Sequence, residues 1–300
     1  MSGFLFFLEV LIGGLLAGSL YALVALGFVL IYKASFVFNF AQSSFVFFAA
    51  LSLCGFMELG LPMWAAVPVA IALMVMVGMA TERLVLRPLV GQSEETLLMA
   101  TIGLAFIIEG LAQAVWGVEV RTLDLGVGHH PIAWVMDRWG MLINTFDLLA
   151  AIVAWILVAV LALVFSRTKV GKGLRAVADD NRAALSIGIP LSHIWMLVWA
   201  TAGVVALVAG MLWGARNGVQ FALVDLALKA LPVLIIGGFT SVPGVVVAGL
   251  LVGAFESVTE FYLGPLVGGG IDAWTPYALA VVFLMFRAEG LFGEKIIRRV

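Results

Sequence analysis

Charged side chains are scarce in this 300-residue sequence: Asp, Glu, Lys and Arg together make up 11% of it. Soluble globular domains carry about 25% charged and about 45–50% apolar residues. Here the apolar share is 64% and the mean hydropathy is +1.17. No soluble fold of this length can bury so much apolar surface, whereas a lipid bilayer can solvate it. The composition therefore excludes an ordinary soluble protein and predicts an integral membrane protein surrounded by lipid.

Cysteine and the common catalytic motifs are also missing. The one cysteine, Cys54, excludes an intrachain disulfide and a cysteine-based metal site, and its apolar surroundings favour a small buried residue. Gly171-Lys172 lacks the Ser or Thr that completes a G-x-x-x-x-G-K-[ST] motif, so the chain does not bind ATP in that manner. G-x-S-x-G is absent and the three histidines lie in loops or at span ends, which argues against an intramembrane enzyme. The net charge of −2 gives no indication of nucleic-acid binding, and none is expected.

Long apolar runs predict nine transmembrane helices, since a helix needs about 20 apolar residues to cross a bilayer. The predicted spans are 5–31, 36–56, 62–82, 97–117, 145–166, 193–215, 226–241, 243–263 and 273–287. The count falls to eight if the short seventh run is re-entrant. The first run is too long for a cleavable signal and has no basic residue before it, so we expect a retained span. The predicted fold class is an all-α polytopic bundle of eight or nine spans, a single domain over 1–300.

Basic residues fall mainly on one side of this arrangement, and such residues favour the cytoplasm. With the N-terminus outside and the C-terminus inside, twelve Lys and Arg are cytoplasmic and three are external. The cytoplasmic set is Lys33, Arg83, Arg87, Arg167, Lys169, Lys172, Arg175, Arg182, Arg287, Lys295, Arg298 and Arg299. The external set is Arg121, Arg138 and Arg216, with Lys229 at the start of the seventh span. We expect this orientation in a bacterial inner membrane.

Two further patterns indicate structure more than chemistry. The external loop 118–144 contains His129 and His130 near acids, but adjacent side chains rarely point the same way, so a solvated loop is preferred to a metal site. Glycines recur at four-residue spacing within spans, which lets helix backbones approach closely. These pairs are Gly14 with Gly18, Gly210 with Gly214, and Gly249 with Gly253.

The most polar segment is the cytoplasmic loop 167–193. Its middle, 173–187, combines helix-favouring alanines with one apolar and one polar face, and Gly188 and Pro190 end it. A connector lying on anionic lipid is one interpretation. The other is a helix that seats in a groove of a partner and transmits its motion, which the mixed charge favours because a lipid-binding helix would be basic throughout.

In this loop the segment 171–188 resembles the coupling segment of membrane permeases from branched-chain amino-acid (Liv-type) ABC importers. The resemblance continues in Asn39-Phe40-Ala41, in 82–88 (ERLVLRP), in 229–244 with its Gly-rich end, and in 290–293 (GLFG). It implies a second permease subunit, two ATP-hydrolysing subunits that hold ATP and Mg, and an external solute-binding protein, with no cofactor in this chain. It also implies coupling residues in the loop: Gly173, Arg175, Ala176, Asp179, Asp180, Arg182 and Gly188.

Polar residues early in the second span are candidates for the substrate pathway, since such side chains are costly in lipid. They are Asn39, Gln42, Ser43 and Ser44. Interhelical hydrogen bonding is the alternative. The family that this segment resembles usually has histidine, glycine and glutamate where this chain has Gln42, Ser43 and Ser44. We therefore hypothesise an altered solute, such as an amide, a urea-like compound or a carboxylate.

Two interrupted segments, 36–45 and 229–244, are also expected beside a transport path, because unwound backbone must line protein or water. Gly237 and Gly238 lie in the second segment and join the candidate pathway residues. Lys229 either forms a buried pair with Glu256 or snorkels outward, and snorkelling is the preferred interpretation.

Glu109 is a mid-span acid, which makes it a functional candidate, although a structural pair with a donor on a neighbouring span explains it equally well. Taken together, the sequence predicts a permease subunit without bond-making chemistry of its own. The alternative is a secondary transporter driven by ions or protons, for which the buried acids Glu109 and Glu256 are few.

Overall fold

The computed structural model describes residues 3–179, 181–186, 188–287 and 290–292. Its helices are α1 Gly3–Ser35, α2 Gln42–Glu58, α3 Met63–Ala80, α4 Glu94–Trp116, α5 Ala133–Trp139, α6 Thr145–Arg167, α7 Lys169–Asp179, α8 Asn181–Ser186, α9 Leu191–Asn217, α10 Ala222–Leu228, α11 Ala230–Gly237, α12 Val242–Val267 and α13 Thr275–Phe286. A π-helical turn, Thr81–Leu86, and a 3₁₀ turn, Arg87–Leu89, extend α3. A 3₁₀ turn, Ile271–Ala273, precedes α13. The predicted all-α fold class is confirmed.

Membrane-spanning length is reached by six of the described helices: α1, α3 with its extension to Leu89, α4, α6, α9 and α12. Helices α2 and α13 are shorter and apolar. The run predicted as a seventh span is broken at Lys229 into α10 and α11, neither of which has the length to cross a bilayer. The eight or nine predicted spans thus correspond to eight apolar helices and one broken pair.

Helix α2 begins at Gln42, six residues later than predicted. The Asn39 side chain explains the delay, because its Oδ1 accepts a hydrogen bond from the backbone N–H of Ala41 at 3.1 Å. Such local side-chain bonds compete with helical ones. Residues 37–39 are consequently not helical, and the first of the two predicted interruptions is present.

The described residues fall into two compact units. The first lies within 1–25, 126–156 and 229–300. Its α12 packs against α1, α11 and α13, and the contact with α1 is made backbone to backbone. A Cβ on Gly14 would lie 2.6 Å from the Gly253 carbonyl oxygen, and a Cβ on Gly18 would lie 2.3 Å from that of Gly249. The packing role predicted for these four glycines is confirmed.

The second unit lies within 26–125 and 157–228. In it α9 packs against both α2 and α3, and α4 and α10 pack against α2. A Cβ on Gly210 would lie 2.4 Å from the Val46 carbonyl oxygen, and one on Gly214 would lie 2.6 Å from the Val219 side chain, so this glycine pair also serves close packing. Helix α2 is almost wholly buried as a result, including the polar residues at its start.

Candidate functional site

The polar residues at the start of α2 form a buried hydrogen-bonded cluster. Asn39 Nδ2 donates to Gln42 Oε1 at 3.4 Å, and Gln42 Nε2 reaches the Ala202 carbonyl oxygen at 3.5 Å. The Gln42 amide lies against Gly27, so a side chain at position 27 would displace this amide. Ser43 Oγ donates to the Phe40 carbonyl oxygen at 3.4 Å. The structure thus brings the predicted polar residues together inside the protein, in agreement with the expectation that they avoid lipid.

Helices α2 and α4 meet along a line of three hydrogen bonds, which we call the α2–α4 seam. Thr101 Oγ1 accepts from the backbone N–H of Phe40 at 3.3 Å. One or two turns further on, Ser44 Oγ donates to Glu109 Oε1 at 2.6 Å. At the end of α4, Trp116 Nε1 donates to Ser52 Oγ, in the second half of α2, at 3.1 Å. The two helices run in the same direction, because the partners on both rise together in residue number.

The Ser44–Glu109 contact joins two of the predicted pathway residues. Ser44 is fully buried and Glu109 is 9% exposed. The hydrogen bond from Ser44 offsets part of the cost of burying the polar side chain of Glu109. Glu109 therefore has the donor on a neighbouring helix that the structural interpretation expected.

A cavity of about 290 Å³ opens on the seam between Glu109 and Trp116; we call it the C-terminal cavity, after that end of α4. Its walls are Phe47, Leu51, Gln113, Gly117, Val118, Glu119, Gln220 and Phe221. The aromatic rings of Phe47 and Phe221 meet edge to face, with centroids 5.8 Å apart. Phe47 and Leu51 are buried, whereas Phe221 is half exposed at the mouth.

A second cavity of about 280 Å³ lies at the other end of α4 and is called the N-terminal cavity. It is lined by Tyr32, Phe36, Val37, Phe38, Glu94, Glu95, Leu97 and Leu98. The aromatic residues come from the end of α1 and from the interruption before α2, and the two acids come from the first turn of α4. Both cavities belong to the second unit, and the seam runs from one to the other.

The Gly-rich turn in the first unit is a site of close packing. A Cβ on Gly237 would lie 2.6 Å from the Gly244 carbonyl carbon, so the end of α11 touches the start of α12. Gly238 has φ 98° and Gly290 has φ 81°, and the two lie against each other. Leu291 N donates to the Ile236 carbonyl oxygen at 2.7 Å. These contacts place Gly237 and Gly238 in a packed junction, and their role in a solute path stays a prediction.

The preferred interpretation of Lys229, snorkelling outward, is wrong. Lys229 Nζ lies 2.8 Å from Glu256 Oε1 and 3.1 Å from Asp272 Oδ2, and 12% of its side chain is exposed. Tyr21 Oη donates to the same Glu256 oxygen at 3.1 Å. The break between α10 and α11 directs the lysine inward, to an acid on α12 and another beyond it. The prediction treated 226–241 as one continuous span, and a continuous span gave no reason to prefer the inward direction for the Lys229 side chain.

The predicted coupling helix is two helices, α7 and α8, and it begins earlier than expected, at Lys169. Among the residues of α7 and α8 whose burial the structure describes, Gly171, Leu174, Val177 and Ala184 are buried. A Cβ on Gly173 would lie 2.9 Å from Ile194 Cδ1, so α7 packs on the first turn of α9. Gly188, with φ 85°, follows α8, as the predicted stop requires.

Arg175 makes a contact that the sequence did not predict. Its guanidinium donates to the backbone carbonyl oxygens of Phe165 and Ser166 and so caps the end of α6. Ala176 is half-buried on the same helix. Asp179 and Arg182 lie at the facing ends of α7 and α8. Asp180, which was predicted to join them, lies outside the described residues, as does Gly293.

Sequence reasoning missed the lining of the C-terminal cavity. Gln113 follows Glu109 by four residues and Phe47 follows Ser44 by three, so each pair lies on one face of its helix. The four-residue spacing of Glu109 and Gln113 on α4 could have indicated a polar face there. The contribution of Gln220 and Phe221 had no such signal, because these residues are distant in sequence and reach the cavity only through the fold.

Residues 10–288 match the model of a family described as the permease component of the branched-chain amino acid transport system. The chain belongs to this family. The match covers nearly the whole permease, including both cavities and helices α7 and α8.

Curated relatives extend the comparison. The permease is 27% identical over 308 residues to BraD, a high-affinity branched-chain amino acid transport permease of Pseudomonas aeruginosa, with 98% of each chain covered. It is 26% identical over 314 residues to LivH of Escherichia coli, which has the same description, with 99% of each covered. The fructose import permease FruF of Bifidobacterium longum is 26% identical over 235 residues, 75% of this chain and 62% of that one. Permeases for chemically different solutes are thus similar to this multi-pass membrane protein.

Proposed function

We propose that this permease is the translocation subunit of an ATP-driven importer for a small polar solute: a branched-chain amino acid or a related amino acid, amide, urea-like compound or carboxylate. Near full-length similarity to BraD and LivH supports the amino-acid class. Similarity to FruF indicates that this type of chain carries other solutes too. The changes at Gln42, Ser43 and Ser44 support a solute that differs from that of the relatives.

The observation that carries the proposal is the attachment of α7 to two membrane-spanning helices at once. Arg175 joins α7 to the end of α6, and Gly173 lies against Ile194 in the first turn of α9. A force applied to α7 is therefore transmitted directly to both spans. This is the mechanical connection that an ATPase on a separate subunit needs, since rigid-body motion of packed helices changes which side of a pathway is open.

The expected assembly follows from this arrangement. Two ATP-binding subunits hold ATP and Mg and contact α7 and α8. A second permease subunit, identical or different, completes the path, and an external binding protein delivers the solute. The chain itself performs no bond-making chemistry. We further propose that the N-terminus is external and the C-terminus cytoplasmic, because this places α7 and α8 on the side where ATP is available.

Uptake into energised vesicles that contain the full complex tests the proposal. With ATP supplied, uptake should continue after the proton gradient is collapsed by an uncoupler. Uptake that stops with the gradient while ATP is maintained would instead support the secondary transporter, in which buried acids relay protons or ions. Purification of the tagged chain should also recover an ATPase in stoichiometric amount.

A further inference from the structure

We propose that α5, the short helix Ala133–Trp139 in the external loop 118–144, binds the lipid headgroup region of the membrane through Trp134 and Trp139. This binding requires neither solute nor ATP, so it goes beyond the proposed transport function. It follows from a pair of exposed tryptophans that the fold holds at the end of a membrane-spanning helix. Burial of the two indole rings drives the binding, and headgroup charge does not.

Large apolar side chains of α5 are exposed. Trp134 is 64% exposed, and Met136 and Trp139 are each 48% exposed. The rings of Trp134 and Trp139 lie 6.0 Å apart, so they form one continuous surface, which we call the tryptophan pair. Tryptophan is enriched at the boundary between lipid and water, because its ring is apolar and its N–H is polar. The composition of this surface therefore suits the membrane interface.

Backbone hydrogen bonds hold α5 against the start of α6. Ile132 N donates to the Ile143 carbonyl oxygen at 2.9 Å, and Thr145 N donates to the His130 carbonyl oxygen at 2.9 Å. The chain thus leaves this junction, forms α5 and returns to the same junction. The tryptophan pair consequently lies close to the first residue of α6.

Buried side chains fix the chain on both sides of α5. Met141, just after α5, and Phe146, in the first turn of α6, are each 1% exposed. The imidazole ring of His129, before α5, lies 4.6 Å from the Phe146 ring. Because these contacts hold both ends of the segment, α5 cannot turn the tryptophan pair inward without losing them. The pair needs a partner outside the chain.

The length of α6 places its first residue at the membrane boundary. Its 23 residues give a length of about 35 Å, slightly more than the roughly 30 Å of hydrocarbon that a span crosses. Leu149, Ile152 and Ile156 are 39%, 49% and 58% exposed, so the apolar outer surface of α6 extends to its second turn. The tryptophan pair lies beside that end, where interfacial helices bury apolar side chains about 5–10 Å deep. Lipid is the favoured occupant, because a soluble protein would have to displace headgroups to reach this level.

The charge of α5 gives no preference for anionic lipid. Asp137 and Arg138 are adjacent and exposed, and their charges cancel. Helices that depend on anionic headgroups carry an excess of Lys and Arg. A surface of phosphatidylcholine should therefore bind α5 as well as an anionic surface does.

A fluorescent label beside the tryptophan pair tests this placement in the full complex, reconstituted in phosphatidylcholine vesicles. In a Cys54→Ala background, Met136→Cys carries the environment-sensitive dye NBD, and the lipids carry a nitroxide quencher either just below the headgroup or near the bilayer centre. We expect the shallow quencher to reduce the emission severalfold more than the deep one. Ile156→Cys, further along α6, is the matched control and should show the reverse order. Absence of quenching by both lipids at position 136 overturns the proposal.

Replacement of the tryptophan pair tests whether the rings themselves hold α5 at the lipid. Trp134→Ser combined with Trp139→Ser should reduce shallow quenching of the label at position 136 severalfold. Trp64→Ser is the control, because Trp64 is 80% exposed at the start of α3, outside this loop, and its loss should leave the quenching unchanged. Gel filtration in detergent verifies that both variants are folded. An equal loss of quenching in the two variants contradicts the role of the pair.

Two further measurements separate lipid binding from its alternatives. Shallow quenching should be the same in vesicles of phosphatidylcholine and in vesicles that also contain phosphatidylglycerol, and quenching confined to the mixture overturns binding by ring burial. Purified external binding protein should leave the label as accessible to aqueous iodide as before. Protection by that protein, without quenching by the nitroxide lipids, would make α5 a protein-docking surface and overturn the proposal.

Discussion

Lys229 and Glu256 form an ion pair inside the first unit, with Nζ and Oε1 2.8 Å apart and about nine-tenths of each side chain buried. The pair joins the break between α10 and α11 to the middle of α12. Asp272 adds a second acid at 3.1 Å, and Glu260 accepts hydrogen bonds from the backbone N–H groups of Gly270 and Asp272, which holds that acid in place. One cation thus organises three chain segments.

Removal of that cation should destabilise the fold. Lys229→Met leaves Glu256 buried without its charge partner, which typically costs about 3 kcal/mol or more. We expect a clearly lower melting temperature in detergent. The double variant Lys229→Met with Glu256→Leu should recover much of the loss, because no uncompensated charge remains. If the double variant is less stable than the single one, the pair is not the source of the effect.

The backbone contact between α1 and α12 predicts that stability depends strongly on the glycines at this contact. Gly18→Ala brings a Cβ to 2.3 Å from the Gly249 carbonyl oxygen, so the helices must separate. Overpacking of this kind costs about 1–3 kcal/mol. Gly13→Ala is the control, because nothing lies within 4 Å of a Cβ at Gly13. Thermal unfolding of the two variants should differ, and equal stability would contradict the close approach.

Loss of the attachment between α7 and α6 should uncouple solute uptake from ATP hydrolysis. Arg175→Gln removes the guanidinium that holds the Phe165 and Ser166 carbonyl oxygens, so motion of α7 should reach α6 less efficiently. We expect solute uptake per ATP hydrolysed to fall severalfold while ATP hydrolysis continues. Lys172→Gln removes an exposed charge from the same helix and should preserve the ratio. A similar loss in both variants would indicate a role for net charge instead of this contact.

Membrane orientation can be tested with few changes, because Cys54 is the single cysteine of the chain. In a Cys54→Ala background, Val118→Cys places a thiol at a site that is 78% exposed, and Leu185→Cys places one on α8 at 54% exposure. A membrane-impermeant maleimide added to intact cells should label the first variant only. Labelling of the second before lysis would reverse the proposed topology and separate α8 from any cytoplasmic ATPase.

The sequence predicted the fold class and the packing glycines because both depend on local patterns. Apolar runs of membrane-spanning length identify helices, and Gly14 with Gly18 marks a face on one of them. Helix boundaries were less accurate. Helix α2 begins at Gln42 and not at 36, since the Asn39 side chain caps a turn. The predicted span 226–241 is broken at Lys229, because this lysine pairs with two acids that are distant in sequence.

Only part of the candidate site was predicted from the sequence. Ser44 and Glu109 stood out as polar residues in apolar helices, but nothing in the sequence shows that they touch, because 65 positions separate them. The cavity beside them was not predicted at all. The aromatic residues of its wall cannot be distinguished in the sequence from other apolar residues. Phe221 lines the cavity from a loop whose position depends on the packing of α10 against α2.

The placement of the two cavities at opposite ends of α4 has a mechanical consequence. The helix has 23 residues and is therefore about 35 Å long, and the Ser44–Glu109 bond holds it near its centre. If α4 tilts about that bond in the plane it shares with α2, its two ends move in opposite directions, which requires the Thr101 or the Trp116 hydrogen bond of the seam to lengthen. Widening one cavity then narrows the other, so a single tilt of α4 cannot open both cavities at the same time.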